Sequence, residues 1–288
     1  MNKIIFILAM SLNLVYAIGL KSLVIPQSAL VLGSSNIGIG DNLSSEINPS
    51  SLIEINPYLG FSRNIWLGDV DGQRISMMWN RKMNSHLSFE SLNVKDIELR
   101  NKVANDEPLG FFGAYWYAID FSRGLDLKKI FPKFESLQVG YKIKFNLSKL
   151  YTESMYGVTF DLGIRKKIND RLFFGLVLKN FGKEIDKNLT VDTPEIFGIG
   201  IAYEIPRIHL KILTDVVKQE EHLLKKVGIQ TNFKHVNLLA GTTESSKYSD
   251  FSYGLQVKIK EWSIIYGNLI HNNSVLGNPI SIELRKNF

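Results

Sequence analysis

The chain has 288 residues, 45% of them hydrophobic and 11% aromatic, and it contains no cysteine. The absence of cysteine excludes disulfides, thiolate metal sites and cysteine nucleophiles, and the composition is neither that of a disordered chain nor that of a helical membrane protein. The formal net charge is +6, but the basic residues are spread along most of the chain, so nucleic-acid binding is not expected.

The first residues have the pattern of a signal peptide. Lys3 supplies a positive charge, Ile4–Leu14 form an apolar stretch, and Val15–Ala17 offer a cleavage site with small residues. The alternative is a membrane anchor helix, which needs about 20 apolar residues, and Lys21 interrupts the stretch before that length. We therefore predict a cleaved signal peptide at residues 1–17 and export from the cytoplasm.

The next segment, residues 18–57, is rich in glycine, serine and asparagine and shows little alternation. No later segment is long and apolar enough for a membrane helix, so a mature chain that spans a membrane must do so as a closed β-barrel. We predict a plug or hatch at 18–57, in or against the barrel mouth, and a β-barrel at 58–288.

From Ser85 onward the side chains follow a period of two, which is the period of a β-strand. Large apolar residues alternate with small or polar residues in four clear runs, at 137–148, 158–165, 197–205 and 251–259. A barrel in lipid needs this division, with apolar side chains facing the lipid and polar side chains facing the lumen. The runs and turns predict an all-β fold, a transmembrane antiparallel β-barrel of about 14 strands in the bacterial outer membrane.

Glycine recurs on the polar face of these strands. A glycine inside a strand weakens the strand unless another group packs closely against the backbone. The pattern therefore predicts a narrow lumen or an internal plug, from Gly140, Gly163, Gly175, Gly198, Gly200, Gly228, Gly254 and Gly267.

The last strand places Ile282, Leu284 and Phe288 on one face. A final strand that ends in phenylalanine resembles the assembly signal of outer-membrane barrels. We therefore expect the barrel assembly machinery and outer-membrane lipid to be partners of the chain.

Catalytic motifs are not found. The five histidines lie on different predicted strands or turns and none has the i, i+4 partner of a metal site, and the serine-rich stretches contain no Gly-x-Ser-x-Gly. Gly38-Ile39-Gly40 lacks the third glycine of a dinucleotide-binding loop. We expect no catalytic residue, no metal and no cofactor, so the chain is not expected to be an enzyme.

Two motifs near the start of the predicted barrel resemble a known family. Asn48-Pro49-Ser50-Ser51-Leu52 resembles the Asn-Pro-Ala-Gly-Leu element of the PorV/PorQ family, which is itself similar to the FadL fatty-acid transporters. Phe61–Val70, with Trp66, Gly68 and Asp69, resembles the first hairpin of that family. Ser50-Ser51 departs from the family's Ala-Gly. Further similar blocks follow in family order at 108–111, 160–163, 178–182, 238–241 and 276–282.

The resemblance implies a FadL-like barrel of 14 strands with an N-terminal plug. It implies a role in docking proteins for type IX secretion or surface attachment, with secretion cargo or attachment-complex proteins as partners. Asn48, Pro49 and Leu52 are then the candidates for plug geometry. Trp66, Gly68 and Asp69 are the candidates for the first hairpin.

Two alternatives stay open. The first is a FadL-like channel that takes up a hydrophobic ligand and releases it at a lateral exit, in which Asn48-Pro49 would bend the plug. An apolar pocket inside the barrel would favour this channel, whereas a lumen lined only by Lys, Gln, Asp and Gly would count against it. The second alternative is a purely structural barrel or a soluble all-β protein.

Overall fold

The computed structural model describes residues 22–80, 84–101, 106–133, 135–186, 189–272 and 277–288. The predicted signal peptide at 1–17 therefore lies outside the described residues. Within the part of the chain that is described, no helix is both long enough and apolar enough to cross a bilayer.

Fifteen β-strands make up most of the described chain. They are β1 (Tyr58–Trp66), β2 (Val70–Trp79), β3 (Asn84–Leu99), β4 (Gly110–Asp126), β5 (Leu137–Leu150), β6 (Glu153–Lys167), β7 (Leu172–Asp186), β8 (Leu189–Asp192), β9 (Ile196–Ile205), β10 (Leu210–Gln219), β11 (His222–Asn232), β12 (Val236–Glu244), β13 (Ser249–Ile259), β14 (Trp262–His271) and β15 (Ile280–Asn287). The described helices are short: α1 (Ala29–Gly33) and the 3-10 helices Pro49–Ile53, Leu67–Asp69, Leu127–Lys129 and Pro206–Ile208.

The sheet closes on itself. Each strand pairs antiparallel with its neighbours, β1 pairs with β15, and β8 pairs only with the last residues of β7. The ring therefore has 14 strands, which confirms the predicted fold class. Because the number is even, β1 begins and β15 ends at the same end of the barrel, where the Phe288 N–H donates to the Pro57 carbonyl at 3.1 Å. We call this the termini end and the other the opposite end.

The outer wall is apolar on all sides. The four alternating runs predicted from the sequence lie within β5, β6, β9 and β13, and their large apolar side chains are exposed or half-buried on the outer face. On β1, for example, Leu59, Phe61 and Ile65 are each close to half exposed. An apolar wall of this extent is unfavourable in water and matches the lipid-facing band of a transmembrane barrel. The wall therefore agrees with the predicted location in the bacterial outer membrane.

The wall is taller on one side. Strands β3 to β7 have 14 to 17 residues, whereas the other strands of the ring have 8 to 11. At about 3.3 Å per residue and a tilt of about 40°, a ten-residue strand rises ~25 Å, the height of the apolar band, and a 17-residue strand rises ~43 Å. Past its last pairing with β2, β3 continues over Val94–Leu99 at the opposite end.

Residues 22–57, which we call the luminal segment, lie inside the barrel ahead of β1. Most of them are buried. Helix α1 contacts β12 to β15, and the 3-10 helix Pro49–Ile53 contacts β3 to β6. The segment therefore crosses the lumen from one side of the wall to the other.

The inward glycines are the places where the segment meets the wall. A β-carbon at Gly140 would overlap the backbone of Pro49, and one at Gly175 would overlap the carbonyl of Ile39. The α1 residue Gly33 lies against the wall at Gly254, where a β-carbon on Gly33 would be 2.7 Å from the Gly254 Cα. Only glycine allows this approach, and this is the close packing that the recurrent glycines predicted.

Candidate functional site

The candidate site is the lumen, and part of its wall is apolar. Inward positions are small or polar in the four runs that the sequence singled out, but other inward positions of the wall are not. Large apolar side chains point inward from β7, β9, β10, β11, β12 and β14: Val177, Ile196, Val217, Leu224, Leu239 and Ile265. The luminal segment, instead of water, covers them with its own apolar side chains: Ala29, Leu30, Val31, Ile39, Leu43 and Ile47. We call these twelve residues the apolar cluster.

Helix α1 contributes three residues to the apolar cluster. The helix starts at Ser28, whose Oγ accepts a hydrogen bond from the Val31 N–H at 3.3 Å. A helix of five residues is unstable in isolation, so packing against the wall must supply its stability. Because all five residues, Ala29–Gly33, are buried, the helix is held on every side.

The lumen also holds a cluster of buried charges at β2 to β5, beside the inward apolar residues Leu92 and Trp116. Arg74 on β2 forms an ion pair with Glu46 of the luminal segment, and its Nε lies 3.2 Å from Glu90 Oε1 on β3. The Nζ of Lys144 on β5 lies 2.8 Å from Glu90 Oε2. The side chains of Arg74 and Glu90 are each 2% exposed, so these charges depend on one another and not on water.

Asp120 on β4 extends this charged region, next to His86. The Asp120 carboxylate accepts hydrogen bonds from Ser88 and, at 3.3 Å, from Ser122, and it lies 3.7 Å from the His86 Nδ1. Both hydroxyls therefore donate to the carboxylate and not to the imidazole, so the histidine does not activate a serine. Among the described residues, no group of three or more His, Asp or Glu side chains could hold a metal ion.

Polar contacts from the wall hold the luminal segment near Gly38. The carboxylate of Asp215 on β10 accepts hydrogen bonds from the Gly38 N–H at 2.7 Å and from the Ile39 N–H at 3.2 Å. On the same strand, the Lys211 Nζ lies 2.8 Å from Asp41 Oδ1. These contacts satisfy backbone donors that would otherwise be buried without a partner.

A second set of contacts holds the segment to β6 and β7. Arg165 on β6 donates from Nε to the Gly40 carbonyl at 3.0 Å, and its Nη1 lies 2.9 Å from Glu54 Oε1. Lys179 on β7 donates to the Glu46 carbonyl at 2.7 Å. Ion pairs and hydrogen bonds therefore attach the segment to the wall at several points along its length.

The two carboxylates of the segment that face arginine are held in the charged form. Burial acts to raise the pKa of Glu46, but Arg74, Lys142 and Lys144 outweigh it, so the pKa falls below its ordinary value. Burial likewise acts to raise the pKa of Glu54, and Arg165 outweighs it. A depressed pKa means that the stabilisation is present above the ordinary value of 4.5 and is lost as the pH falls through the lower folded value.

We therefore expect acid to loosen the luminal segment. Amide hydrogen exchange over residues 38–54, corrected for its intrinsic pH dependence, should remain slow from pH 7 to pH 5 and rise as the pH falls below about 4.5. The double variant Glu46→Gln/Glu54→Gln should exchange faster than the wild type already at pH 7. An exchange rate that begins to rise near neutral pH would contradict the role given to the charged forms of Glu46 and Glu54. A double variant that exchanges as slowly as the wild type at pH 7 would contradict it as well.

The predicted plug residues come together in one buried turn. Asn48 caps the 3-10 helix Pro49–Ile53: its Oδ1 accepts from the Ser50 N–H at 3.0 Å. Its Nδ2 donates to the Ile39 carbonyl at 2.7 Å. Pro49 is the first residue of that helix, where its missing N–H costs nothing, and Leu52 is fully buried.

Asn48 also joins this turn to the wall. Its Nδ2 lies 3.2 Å from the Ile164 carbonyl on β6, beside Gly163, where a β-carbon would overlap the Asn48 side chain. The asparagine therefore connects two parts of the luminal segment with the barrel. That it shapes a plug stays a prediction.

Trp66, Gly68 and Asp69 lie elsewhere. Trp66 ends β1 and pairs with Val70, Gly68 has φ 67°, and Asp69 ends the short 3-10 helix of that turn. The left-handed φ explains the glycine, since other residues are strained there. These three residues belong to a turn at the opposite end and not to the buried turn around Asn48.

The last strand points its apolar residues outward. Ile282 and Leu284 are about half exposed on the lipid-facing side of β15, and Phe288 is 70% exposed at the termini end. The geometry places them on one outer face, as the alternation indicated. Their role as an assembly signal stays a prediction.

The described residues enclose a cavity in the lumen and border a groove on the outer wall. The cavity, of about 50 Å³, lies where the apolar cluster and the buried charges meet, and its lining includes Val31, Ile196, Lys142 and Lys179. A larger groove of about 520 Å³ lies on the outer wall around the backbone of Gly157. The groove is lined by Phe145, Asn146, Tyr156, Val158, Lys183 and Ile185.

The wall is thin behind this groove. Gly157 faces the lumen without a side chain, and Asn146 and Glu184 cover it from inside through a mutual hydrogen bond. Both covering side chains are buried. An apolar recess on the lipid side is therefore separated from the lumen by one glycine and two hydrogen-bonded side chains.

Sequence reasoning did not identify Arg74, Glu90, Lys144 or Asp215. Each lies on the inward face of a strand, and the period of two could have placed it there. The alternation does not indicate which inward charges meet across the barrel, because their partners are far apart along the chain.

Comparison with known proteins identifies the fold but no family. No family model matches the chain, and no curated protein matches it. The resemblance to PorV/PorQ and the docking role that it implies are therefore without support from these comparisons.

Solved structures of outer-membrane channels do match. A CymD monoaromatic hydrocarbon channel has a TM-score of 0.63 and 14% identity, over 92% of this chain and 98% of that chain. The toluene transporter TodX of Pseudomonas putida has a TM-score of 0.60 and 8% identity, over 90% and 96%. A FadL homologue of Pseudomonas aeruginosa has a TM-score of 0.61 and 9% identity, over 92% and 99%. The barrel therefore has a FadL-like fold.

Proposed function

We propose that the chain is an outer-membrane channel for hydrophobic small molecules, in which the luminal segment acts as a plug. The apolar cluster is the observation that supports this proposal. Six wall strands direct a large apolar side chain into the lumen, where a pore for polar solutes would have polar side chains. The FadL-like fold, shared with channels described as hydrocarbon channels, supports the same function.

Transport requires the luminal segment to move, because the segment crosses the lumen and covers the wall residues of the apolar cluster. When the segment shifts, the wall residues of the apolar cluster lose their cover. An apolar solute can replace that cover without the cost of wetting the wall, whereas a sugar or an ion cannot. The wall itself would therefore select for hydrophobic solutes.

The outer groove is the candidate exit. A hydrophobic molecule that leaves sideways enters lipid directly and avoids water. Gly157 offers the thinnest point of the wall next to an apolar recess, and displacement of Asn146 or Glu184 would open it. The path proposed here thus runs from the apolar cluster towards β5, β6 and β7.

Uptake measurements test the function. We expect a host that lacks its own hydrophobic channels to take up a labelled monoaromatic hydrocarbon when it produces the chain. Leu224→Asp puts a charge on the apolar inner wall of β11 and should lower uptake at least about tenfold, since burying an unpaired charge on the path is costly. Leu224→Met, which keeps the same inward position of β11 apolar, is the matched control and should keep most of the uptake.

Both variants must reach the membrane folded, which heat-modifiable gel mobility reports. A wild-type chain that gives no more uptake than the empty host would show the proposal to be wrong. So would equal losses in the two variants. In that case the docking role expected from the resemblance would become the first alternative, and deletion of the gene in its own host, followed by analysis of stalled secreted proteins, would address it.

A further inference from the structure

Charge is sorted between the two ends of the barrel. The described turns at the termini end contain ten lysines and arginines against five aspartates and glutamates, over residues 126–136, 166–172, 204–210, 232–236 and 258–262. The described turns at the opposite end contain six basic and fifteen acidic residues, over 66–71, 95–101, 106–110, 149–154, 183–186, 189–196, 218–222 and 244–250. The spread of basic residues along the sequence thus becomes a separation of charge in space.

The basic residues have apolar neighbours that are also exposed. In each of these five turns at the termini end, an isoleucine or phenylalanine that is more than half exposed lies next to a lysine or arginine in sequence. The pairs are Lys129 with Ile130, Lys167 with Ile168, Arg207 with Ile208, Lys234 with Phe233, and Lys258 and Lys260 with Ile259. We call this ring of turns the basic rim.

The turn between β4 and β5 is the largest part of the basic rim. Ile130 and Phe131 are each more than half exposed. Lys128, Lys129 and Lys133, all exposed, lie on both sides of them. Apolar side chains flanked by lysines are typical of the membrane interface, where the apolar groups enter the lipid and the ammonium groups stay at the headgroups.

Basic residues also follow the outward apolar residues at the termini ends of two strands. Lys166 follows Leu162 and Ile164 on the outward face of β6. Lys286 follows Leu284 on β15, and its Nζ lies 5.8 Å from the ring centre of Trp262. On these two strands the positive charge therefore lies directly beside the apolar outer wall at the termini end.

We propose that the basic rim binds the phosphates of anionic phospholipids in the membrane leaflet at the termini end. A phosphate next to lysine and arginine gains a charge-assisted hydrogen bond, and the neighbouring isoleucine or phenylalanine contacts the acyl chains. A leaflet surrounds the barrel and meets all five turns at once, whereas an acidic protein at the barrel mouth would not reach the outward basic residues of β6 and β15. The acidic opposite end gives no such attraction, so the contact also orients the barrel.

Lipid retention tests the proposal. The folded chain is placed in nanodiscs of equal parts phosphatidylglycerol and phosphatidylcholine, and native mass spectrometry counts the lipids that stay bound when the barrel is released. We expect the wild type to retain phosphatidylglycerol over phosphatidylcholine by about fivefold or more. High salt in the nanodisc buffer should reduce this preference for phosphatidylglycerol, because salt screens exposed charges.

Two matched triple variants locate the effect. Lys128→Gln/Lys129→Gln/Lys133→Gln removes three charges of the basic rim and should lower the preference at least about threefold. Lys149→Gln/Lys183→Gln/Lys218→Gln removes three exposed lysines at the opposite end and should leave the preference unchanged. Heat-modifiable mobility confirms that each variant is folded.

Three results would overturn the proposal: equal retention of the two lipids by the wild type, an unchanged preference in the basic-rim variant, or the same loss in both variants. Each result can be obtained without any transport measurement. The test is therefore independent of the function proposed above.

Discussion

Replacing Gly140 with alanine is expected to displace the luminal segment and open the barrel. The added β-carbon would overlap the backbone of Pro49 and Ser50, which cannot turn aside as a flexible side chain can. Overpacking of a filled interior costs about 1–3 kcal/mol, and a clash with main-chain atoms belongs at the upper end. The population with the segment in place should then fall by about a hundredfold relative to the displaced population.

Channel recordings in planar bilayers measure this effect. We expect the wild type to conduct little, because the luminal segment crosses the lumen. Gly140→Ala should show frequent large openings and faster proteolysis within residues 38–54. Gly110→Ala is the control, since a β-carbon there would meet nothing within 4 Å. A Gly140→Ala barrel that conducts like the wild type would show that the segment tolerates the clash or does not close the pore.

Replacing Arg74 with methionine is expected to destabilise the folded chain by about 3–5 kcal/mol. The substitution keeps much of the volume of the side chain but leaves Glu46 without its arginine, and it leaves Glu90 with Lys144 alone. Burying a carboxylate without its partner is far more costly than losing a surface ion pair. The free energy of unfolding in guanidinium, measured in phospholipid vesicles, gives the size of the loss.

Two comparisons identify the cause of that loss. Arg63→Met removes an exposed ion pair in which the Arg63 Nε lies 3.4 Å from Asp71 Oδ1. This substitution should lower the free energy of unfolding by less than about 1 kcal/mol. Arg74→Met/Glu46→Gln also removes the carboxylate that loses its ion-pair partner, and it should be more stable than Arg74→Met alone. If Arg74→Met and Arg63→Met cost the same, or if the second substitution gives no recovery, the buried charges at β2 to β5 do not act as a coupled cluster.

The two substitutions disturb the luminal segment in different ways. Gly140→Ala acts by volume on the turn around Pro49 and changes none of the charged groups that pair with Glu46 and Glu54. Arg74→Met removes an attraction and leaves the glycine contacts intact. Gly140→Ala should therefore open the barrel more, and Arg74→Met should lose more stability. That result would mean that close packing at glycine positions the luminal segment, whereas the ion pairs stabilise the folded barrel.

The sequence predicts the barrel well because the signal is local. Alternation along β5, β6, β9 and β13 follows from the pleat of a strand, so each run can be read without knowledge of its neighbours. The recurrent glycines at Gly140 and Gly175 indicate a close packing partner for the same reason, since the requirement belongs to the glycine itself. The contacts of the lumen-lining residues cannot be predicted in the same local way. Leu224 and Gln230 are both inward on β11, yet only Leu224 belongs to the apolar cluster.

The class of fold, the outward apolar faces of the strands and Asn48 as a candidate residue of the N-terminal segment all follow from the order of the residues. The pairing of Arg74 with Glu46, the inward apolar cluster and the separation of charge between the two ends depend on how the strands close into a ring. The physical reason is that consecutive turns of an antiparallel barrel lie at opposite ends. A basic turn and the acidic turn that follows it are close in sequence and far apart in space, whereas the closed ring brings together strands that are distant in sequence.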